Sequence, residues 1–134
     1  YQVLGVQGSR MADGNPTPPK HDGMAAFRVD GKIRLVRNHE VPDELARKGA
    51  AILSGDRVYD PLAGGGVTTL TIDPITRELL DDRVTLAGTH TNCAGGPTPW
   101  GSWLSCEETT LGAAPGTDEE GKPTGGFAQE HGYI

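Results

Sequence analysis

The sequence has 134 residues, a formal net charge of −6 and a hydrophobic fraction of 35%. Nucleic-acid-binding proteins need a Lys/Arg-rich face, and the acidic balance without any basic run argues against that function. No apolar stretch approaches the roughly 18 to 20 residues that span a bilayer, so no transmembrane segment is predicted. The 20 glycines and 10 prolines indicate a folded chain that is rich in turns.

The first half of the chain predicts a β-hairpin. Residues 1–8 alternate apolar and polar side chains, and residues 9–23 form a proline-containing loop. Residues 24–29 and 33–38 then have strand composition and are separated by Asp30-Gly31, a strong signal for a two-residue hairpin turn.

The second half predicts more short strands and little helix. Residues 42–48 suit a short helix, with a proline at its start and acidic and basic residues at the ends that the helix dipole favours. Further strands are expected at residues 67–73, 83–87 and 102–106. Residues 74–82 are expected to form a turn with a single helical winding, and residues 112–126 a flexible surface insertion.

The two ends of the sequence indicate a piece of a longer protein. The chain starts at Tyr1 without an initiator Met, and it ends at Ile134 within a run that is typical of a strand just starting. We therefore expect residues 1–134 to be a piece of something larger.

The predicted elements indicate an all-β fold, which leaves a sandwich, a barrel and a propeller open. A weak internal sequence repeat favours the propeller. KIRLVRNHE and GSWLSCEE each consist of a strand followed by a terminal carboxylate, as corresponding strands of two blades would. Blades take about 40 to 50 residues each, so this chain would hold about three blades and could not close a ring.

The histidines offer weak functional signals. There are four of them, and three are next to a carboxylate in sequence, but neighbours on a strand point to opposite faces. A structural role is the more frequent one for each: His21, His39, His90 and His131. The polar run of residues 37–40, which closes an apolar strand, is equally consistent with a site and with a strand that simply enters solvent.

The sequence NCAGGPTPWG at residues 92–101 is a constrained loop with a thiol before two glycines. From spacing alone, a tight connection with a buried Cys93, or a Cys93–Cys106 disulfide, is favoured over a functional site. Glu107 and Glu108 end the next strand. A carboxylate of either residue that turns inward is a suitable metal ligand. Successive side chains of a strand point to opposite faces, which argues against both residues binding one ion.

Three blocks together resemble one known family. The blocks are HDGMAAFRVDGKIRLVRNHE at residues 21–40, GTHTNCAGGPTPWGSWLSCEET at residues 88–109, and EHGYI at residues 130–134. Their order and spacing resemble those of the PhoX-type alkaline phosphatases over nearly the whole chain. The middle block is the most specific of the three.

The resemblance implies a six-bladed β-propeller, exported by the twin-arginine route to the periplasm or the extracellular space, that hydrolyses phosphate monoesters with iron and calcium ions. Residues 1–134 would then be the N-terminal portion of this single propeller domain. By residue matching, Cys93 becomes an iron ligand, which displaces the disulfide interpretation. Glu40 and Glu108 match acids near the metals, with Glu107 as a weaker match. Asn38 and Asn92 match candidate catalytic residues that contact metal or phosphate, whereas His131 receives no role.

Two other functions compete with the phosphatase. A non-catalytic PhoX-like propeller could keep the scaffold and bind calcium as a surface or interaction protein, but it would have no need for a thiolate iron ligand. A calcium-dependent lactonase shares the propeller architecture but leaves the NCAGGPTPWG sequence unexplained. Because further ligands are expected beyond residue 134, the chain alone is predicted to be inactive.

Overall fold

The computed structural model describes residues 1–52, 54–55 and 57–134. The described chain is mostly antiparallel β-structure, which confirms the all-β prediction, and its sheets do not close into a barrel. The elements in chain order are β1 (His21–Val29), β2 (Lys32–His39), α1 (Asp43–Leu45) with a π-helical turn (Ala46–Ala50), β3 (Gly65–Ile72), β4 (Leu79–Thr89), β5 (Asn92–Pro97), β6 (Trp103–Glu107), β7 (Pro115–Thr117) and β8 (Pro123–Gly125).

The first four strands form one antiparallel sheet in the order β1-β2-β3-β4. The predicted hairpin between β1 and β2 is confirmed. Its two turn residues, Asp30 and Gly31, have φ values of 49° and 73°, as a two-residue turn that matches strand twist requires.

The connection between β3 and β4 is shorter than predicted. β4 begins at Leu79, so the prediction that the turn extends to residue 82 is wrong. The turn is closed early because the Asp73 side chain accepts hydrogen bonds from the N–H groups of Ile75 and Thr76 at 2.8 and 2.9 Å. Asp82 is tolerated inside β4 because its carboxylate accepts a hydrogen bond from Ala12 N–H.

Several other predictions need correction. Residues 92–97 were expected to be a loop and form β5, which pairs with β6. The expected flexible insertion contains the β7-β8 hairpin. The run at residues 132–134 does not form a strand, although Tyr133 C=O accepts a hydrogen bond from Glu107 N–H at 3.0 Å. Cys93 and Cys106 are both free, so the disulfide favoured by spacing is absent.

A small apolar core lies between one face of the sheet and the segments around it. It contains the buried side chains of Met11, Val41, Ile52, Val84 and Ala87. The β5-β6 hairpin packs on the sheet mainly through contacts of β5 with β1 and β2. Among the described residues, no helix is long and apolar enough to cross a membrane.

Candidate metal centre

Three side chains of types that bind metals meet where the sheet contacts the β5-β6 hairpin. Glu40 follows β2, Cys93 lies in β5, and Glu108 follows β6. One carboxylate oxygen from each acid and the Cys93 sulfur all lie within 4.8 Å of one another. Glu40 and Cys93 are half-buried and Glu108 is exposed, so the group opens to solvent on one side.

Backbone hydrogen bonds fix the two acids at the ends of their strands. Glu40 N–H donates to Lys20 C=O at 2.9 Å, and Glu108 N–H donates to Thr91 C=O at 3.1 Å. The Thr91 hydroxyl also donates to Glu108 C=O at 3.2 Å. These bonds leave both carboxylates available to a ligand while restricting where they can move.

Asn38 holds the Cys93 segment against the sheet. Its side chain is fully buried, and its Nδ2 donates to Cys93 C=O at 3.1 Å and to Ala94 C=O at 2.8 Å. Its Oδ1 accepts hydrogen bonds from Trp103 Nε1 and Ser105 Oγ, each at 2.9 Å. The amide thus fixes both strands of the hairpin relative to β2.

Gly23 allows β1 to approach the same segment closely. A Cβ atom at this position would lie 2.6 Å from Cys93 C=O, closer than real contacts permit. Glycine is therefore required here for the packing of β1 against β5. The position of Cys93 therefore depends on the hydrogen bond from Asn38 and on the absence of a side chain at Gly23.

The electrostatic environment of Cys93 suits a cation. Burial raises the pKa of its thiol, and the carboxylates of Asp22, Glu108 and Glu40 raise this pKa further. Without a counter-charge the thiol therefore stays protonated at neutral pH. A multivalent cation would reverse this effect, because a thiol that binds a metal is deprotonated.

Glu107 lies on the other face of β6 and does not join the group. Its Oε1 accepts hydrogen bonds from His90 N–H and His131 Nδ1, both at 2.8 Å, and its Oε2 accepts one from Gly132 N–H at 2.7 Å. Burial raises the pKa of Glu107, but these bonds outweigh burial and lower it overall. As alternation predicts, Glu107 and Glu108 do not share a site.

A family profile described as Alkaline phosphatase PhoX matches residues 1–83 and residues 75–134, which together cover the whole chain. The chain belongs to the PhoX family of alkaline phosphatases. No curated protein and no solved structure matches it. The family assignment confirms the resemblance, and it supports phosphatase chemistry for this PhoX chain at the level of the family.

The predicted site residues of this PhoX chain fall into two sets. Glu40, Cys93 and Glu108 come together, whereas Asn38 and Asn92 form hydrogen bonds within the protein. Asn92 is fully buried, its Oδ1 accepts a hydrogen bond from Thr89 Oγ1, and its Nδ2 donates to Ser105 Oγ at 2.8 Å. Contact of either amide with metal or phosphate stays a prediction.

Three acids outside the predicted set interact with Cys93 or with a buried histidine. Asp22 acts on the pKa of Cys93, Asp43 accepts a hydrogen bond from His90 Nε2 at 2.8 Å, and Asp60 lies 3.4 Å from His131 Nε2. Asp22 alone had a usable signal, since it lies near the start of β1, the strand that pairs with the one leading to Glu40. The other two depend on contacts between distant segments.

Proposed function

We propose that this chain supplies part of the active site of a metal-dependent phosphomonoesterase that releases phosphate from organic phosphate esters. The observation that carries the proposal is the convergence of Glu40, Cys93 and Glu108 from three separate segments. Family membership supports the reaction class, and the donor set supports metal dependence.

Cys93 is the proposed iron ligand, because iron accepts thiolate as well as carboxylate ligands. The carboxylates of Glu40 and Glu108 are hard oxygen donors that also suit calcium. When bound, such cations neutralise the acids, attract a phosphate dianion and polarise its phosphoryl oxygens. The protein's part is to release the Cys93 proton, to hold the Cys93 backbone through Asn38, and to orient the two carboxylates.

We also propose that the β1-β4 sheet is one blade of a propeller, since a four-stranded antiparallel meander is the repeating unit of that architecture. The expected six-bladed ring and export by the twin-arginine route remain predictions.

Replacement of Cys93 tests the metal assignment. In the purified protein, Cys93→Ala is expected to lose most of the bound iron, whereas Cys106→Ala, which removes the other free thiol, is expected to keep it. Elemental analysis of both variants measures the difference. Iron content that is unchanged in Cys93→Ala would remove this residue from the site.

A second test uses the 134-residue chain by itself. The cluster supplies three donors, whereas calcium takes about 6 to 8 oxygen ligands. We therefore expect the isolated chain, supplied with iron and calcium, to release no p-nitrophenol from p-nitrophenyl phosphate above the metal-only background. Metal-dependent turnover by this chain would contradict the expectation.

A further inference from the structure

Left-handed backbone occurs beside the candidate metal centre at residues that are not glycine. Among the residues that the structure describes, four non-glycine residues have positive φ: Lys20 at 55°, Asp30 at 49°, Arg77 at 67° and Thr91 at 46°. A residue with a Cβ atom is disfavoured in this region, and a β-branched residue such as threonine is disfavoured most. Such a conformation persists only where the surrounding structure imposes it.

Two of these residues lie in hairpin connections, where positive φ is ordinary. Asp30 is in the β1-β2 turn, and Arg77 is in the connection between β3 and β4. Lys20 directly precedes β1, and Thr91 lies between β4 and β5, which belong to different sheets. The left-handed conformation of Lys20 and Thr91 therefore needs another explanation.

Each of these two residues is hydrogen-bonded to one acid of the candidate metal centre. Lys20 C=O accepts a hydrogen bond from Glu40 N–H at 2.9 Å. Thr91 C=O accepts one from Glu108 N–H at 3.1 Å. Both acids directly follow a strand, so this bond fixes the point from which each carboxylate projects. An extended backbone at Lys20 or Thr91 would redirect the carbonyl group and release the acid.

Hydrogen bonds on both sides of Lys20 impose its conformation. Before it, Pro19 C=O accepts a hydrogen bond from His39 Nδ1 at 2.8 Å. After it, His21 Nε2 donates to Pro18 C=O at 3.0 Å. The Lys20 side chain is exposed. Lys20 therefore acts on Glu40 through its backbone.

The side chain of Thr91 supports its conformation directly. Its hydroxyl donates to Glu108 C=O at 3.2 Å, and His90 Nδ1 lies 3.0 Å from the same hydroxyl oxygen. Thr91 thus binds Glu108 twice, through its carbonyl and through its hydroxyl. On one side, His90 N–H donates to Glu107 Oε1 at 2.8 Å, and on the other Asn92 is fully buried. These contacts hold a β-branched residue in the left-handed region.

We propose that Lys20 and Thr91 are positioning residues of the metal centre, and that their left-handed backbone holds Glu40 and Glu108 in place for the cation. This inference rests on the proposed metal-dependent function and extends it to the residues behind the donors. The strain is retained because it preorganises two carboxylates that reach Cys93 from different segments.

Valine and glycine at the two positions separate backbone conformation from side-chain chemistry. Valine is β-branched, has no hydroxyl and favours an extended backbone, whereas glycine adopts positive φ without strain. Co²⁺ is titrated into the metal-free chain in the Cys106→Ala background, where Cys93 is the remaining thiol. Absorption by the cobalt–thiolate complex measures binding at the Cys93 centre.

The two kinds of variant are expected to differ in metal affinity. Thr91→Val and Lys20→Val should each weaken Co²⁺ binding about tenfold, which corresponds to about 1.4 kcal/mol. Thr91→Gly and Lys20→Gly should retain the affinity and the absorption band of the unsubstituted protein, because glycine keeps the left-handed conformation.

Arg77→Val is the matched control. It places the same side chain at an exposed left-handed residue outside the candidate metal centre. We expect it to lower the unfolding temperature, as the other valine variants do, and to leave Co²⁺ affinity unchanged. A role in overall stability alone would instead weaken binding equally in all three valine variants, which would overturn the proposal.

Two further results would contradict the positioning role. One is unchanged Co²⁺ affinity in the valine variants, and the other is an equal loss of affinity in the glycine variants. If Thr91→Val does not fold, Lys20→Val decides, since it changes an exposed side chain. Absence of Co²⁺ binding by the unsubstituted chain is a separate outcome, which would refute the proposed metal dependence and this inference with it.

Discussion

Asn38 shows how much one buried amide can determine. Every hydrogen-bonding group of its side chain is directed at the hairpin: two carbonyls accept from its Nδ2, and an indole and a hydroxyl donate to its Oδ1. Its neighbour in the network, Ser105, also accepts a hydrogen bond from Asn92. At the residue scale, the position of Cys93 is set by this network rather than by its own loop.

An amide-to-acid change at Asn38 tests that role. The new carboxylate would place an oxygen against two carbonyl oxygens, so we expect Asn38→Asp to lower the free energy of unfolding by about 3 kcal/mol or more. Urea unfolding monitored by tryptophan fluorescence measures the change. Gln2→Glu, an amide-to-acid change at an exposed position, is the control. Equal free energies of unfolding for the two variants would show that the Asn38 amide does not hold the hairpin against the sheet.

The β5-β6 hairpin is the element on which the site depends, and glycine governs its packing. A Cβ atom at Gly95 would collide with the Trp103 ring and with Leu104 C=O, whereas a Cβ atom at the next residue, Gly96, would meet nothing within 4 Å. Gly95 is needed for the strand to lie under the indole, and Gly96 is not.

Two alanine substitutions one residue apart measure this difference. Gly95→Ala is expected to cost about 1 to 3 kcal/mol of folding free energy because the added methyl group overlaps the Trp103 ring and Leu104 C=O. Gly96→Ala is expected to be neutral or to stabilise by up to about 1 kcal/mol, since it restricts the unfolded chain. Thermal unfolding of both variants provides the measurement, and a reversed order would show that the hairpin packs differently.

At the same scale, local chemistry explains which elements the sequence could predict. The β1-β2 hairpin followed from Asp30-Gly31, since that pair favours one turn geometry whatever surrounds it. β5 was missed because Gly95, Gly96 and Pro97 have low strand propensity. These residues form a strand because they pair with β6.

The candidate site was predictable in part for a related reason. The blocks that resemble the family contain all three members of the site: Glu40, Cys93 and Glu108. Their proximity could therefore be expected from the resemblance. The buried contacts of Asp60, which lies outside this group, could not be predicted, because its two N–H donors, Leu62 and Gln129, are far apart in the sequence and only the folded chain brings them together.

The whole molecule responds to pH through buried groups. Burial lowers the pKa of His39 from 6.5 to about 3, with smaller contributions from Arg37 and His21, although its bond to Pro19 C=O acts in the opposite direction. Because the unfolded state binds the proton more tightly, the His39 contribution to stability is complete above pH 6.5. It is lost progressively as the pH falls toward about 3.

We therefore expect the free energy of unfolding of the metal-free chain to fall between about pH 6.5 and pH 4, by up to about 1.4 kcal/mol per pH unit for this group. Urea titrations at several pH values measure the slope. His39→Gln, which removes the titrating ring, should flatten it. Parallel curves for the two proteins would exclude His39 as the source of acid sensitivity.

The three side chains of the candidate metal centre lie at positions 40, 93 and 108, on opposite sides of the contact between the sheet and the hairpin. A cation held by all three would bind only the docked arrangement, so its concentration and the docked population would be thermodynamically linked. Above saturation, each tenfold rise in free cation would add about 1.4 kcal/mol to the stability of that contact. Metal supply would then set how stable the folded arrangement is, in addition to any role in catalysis.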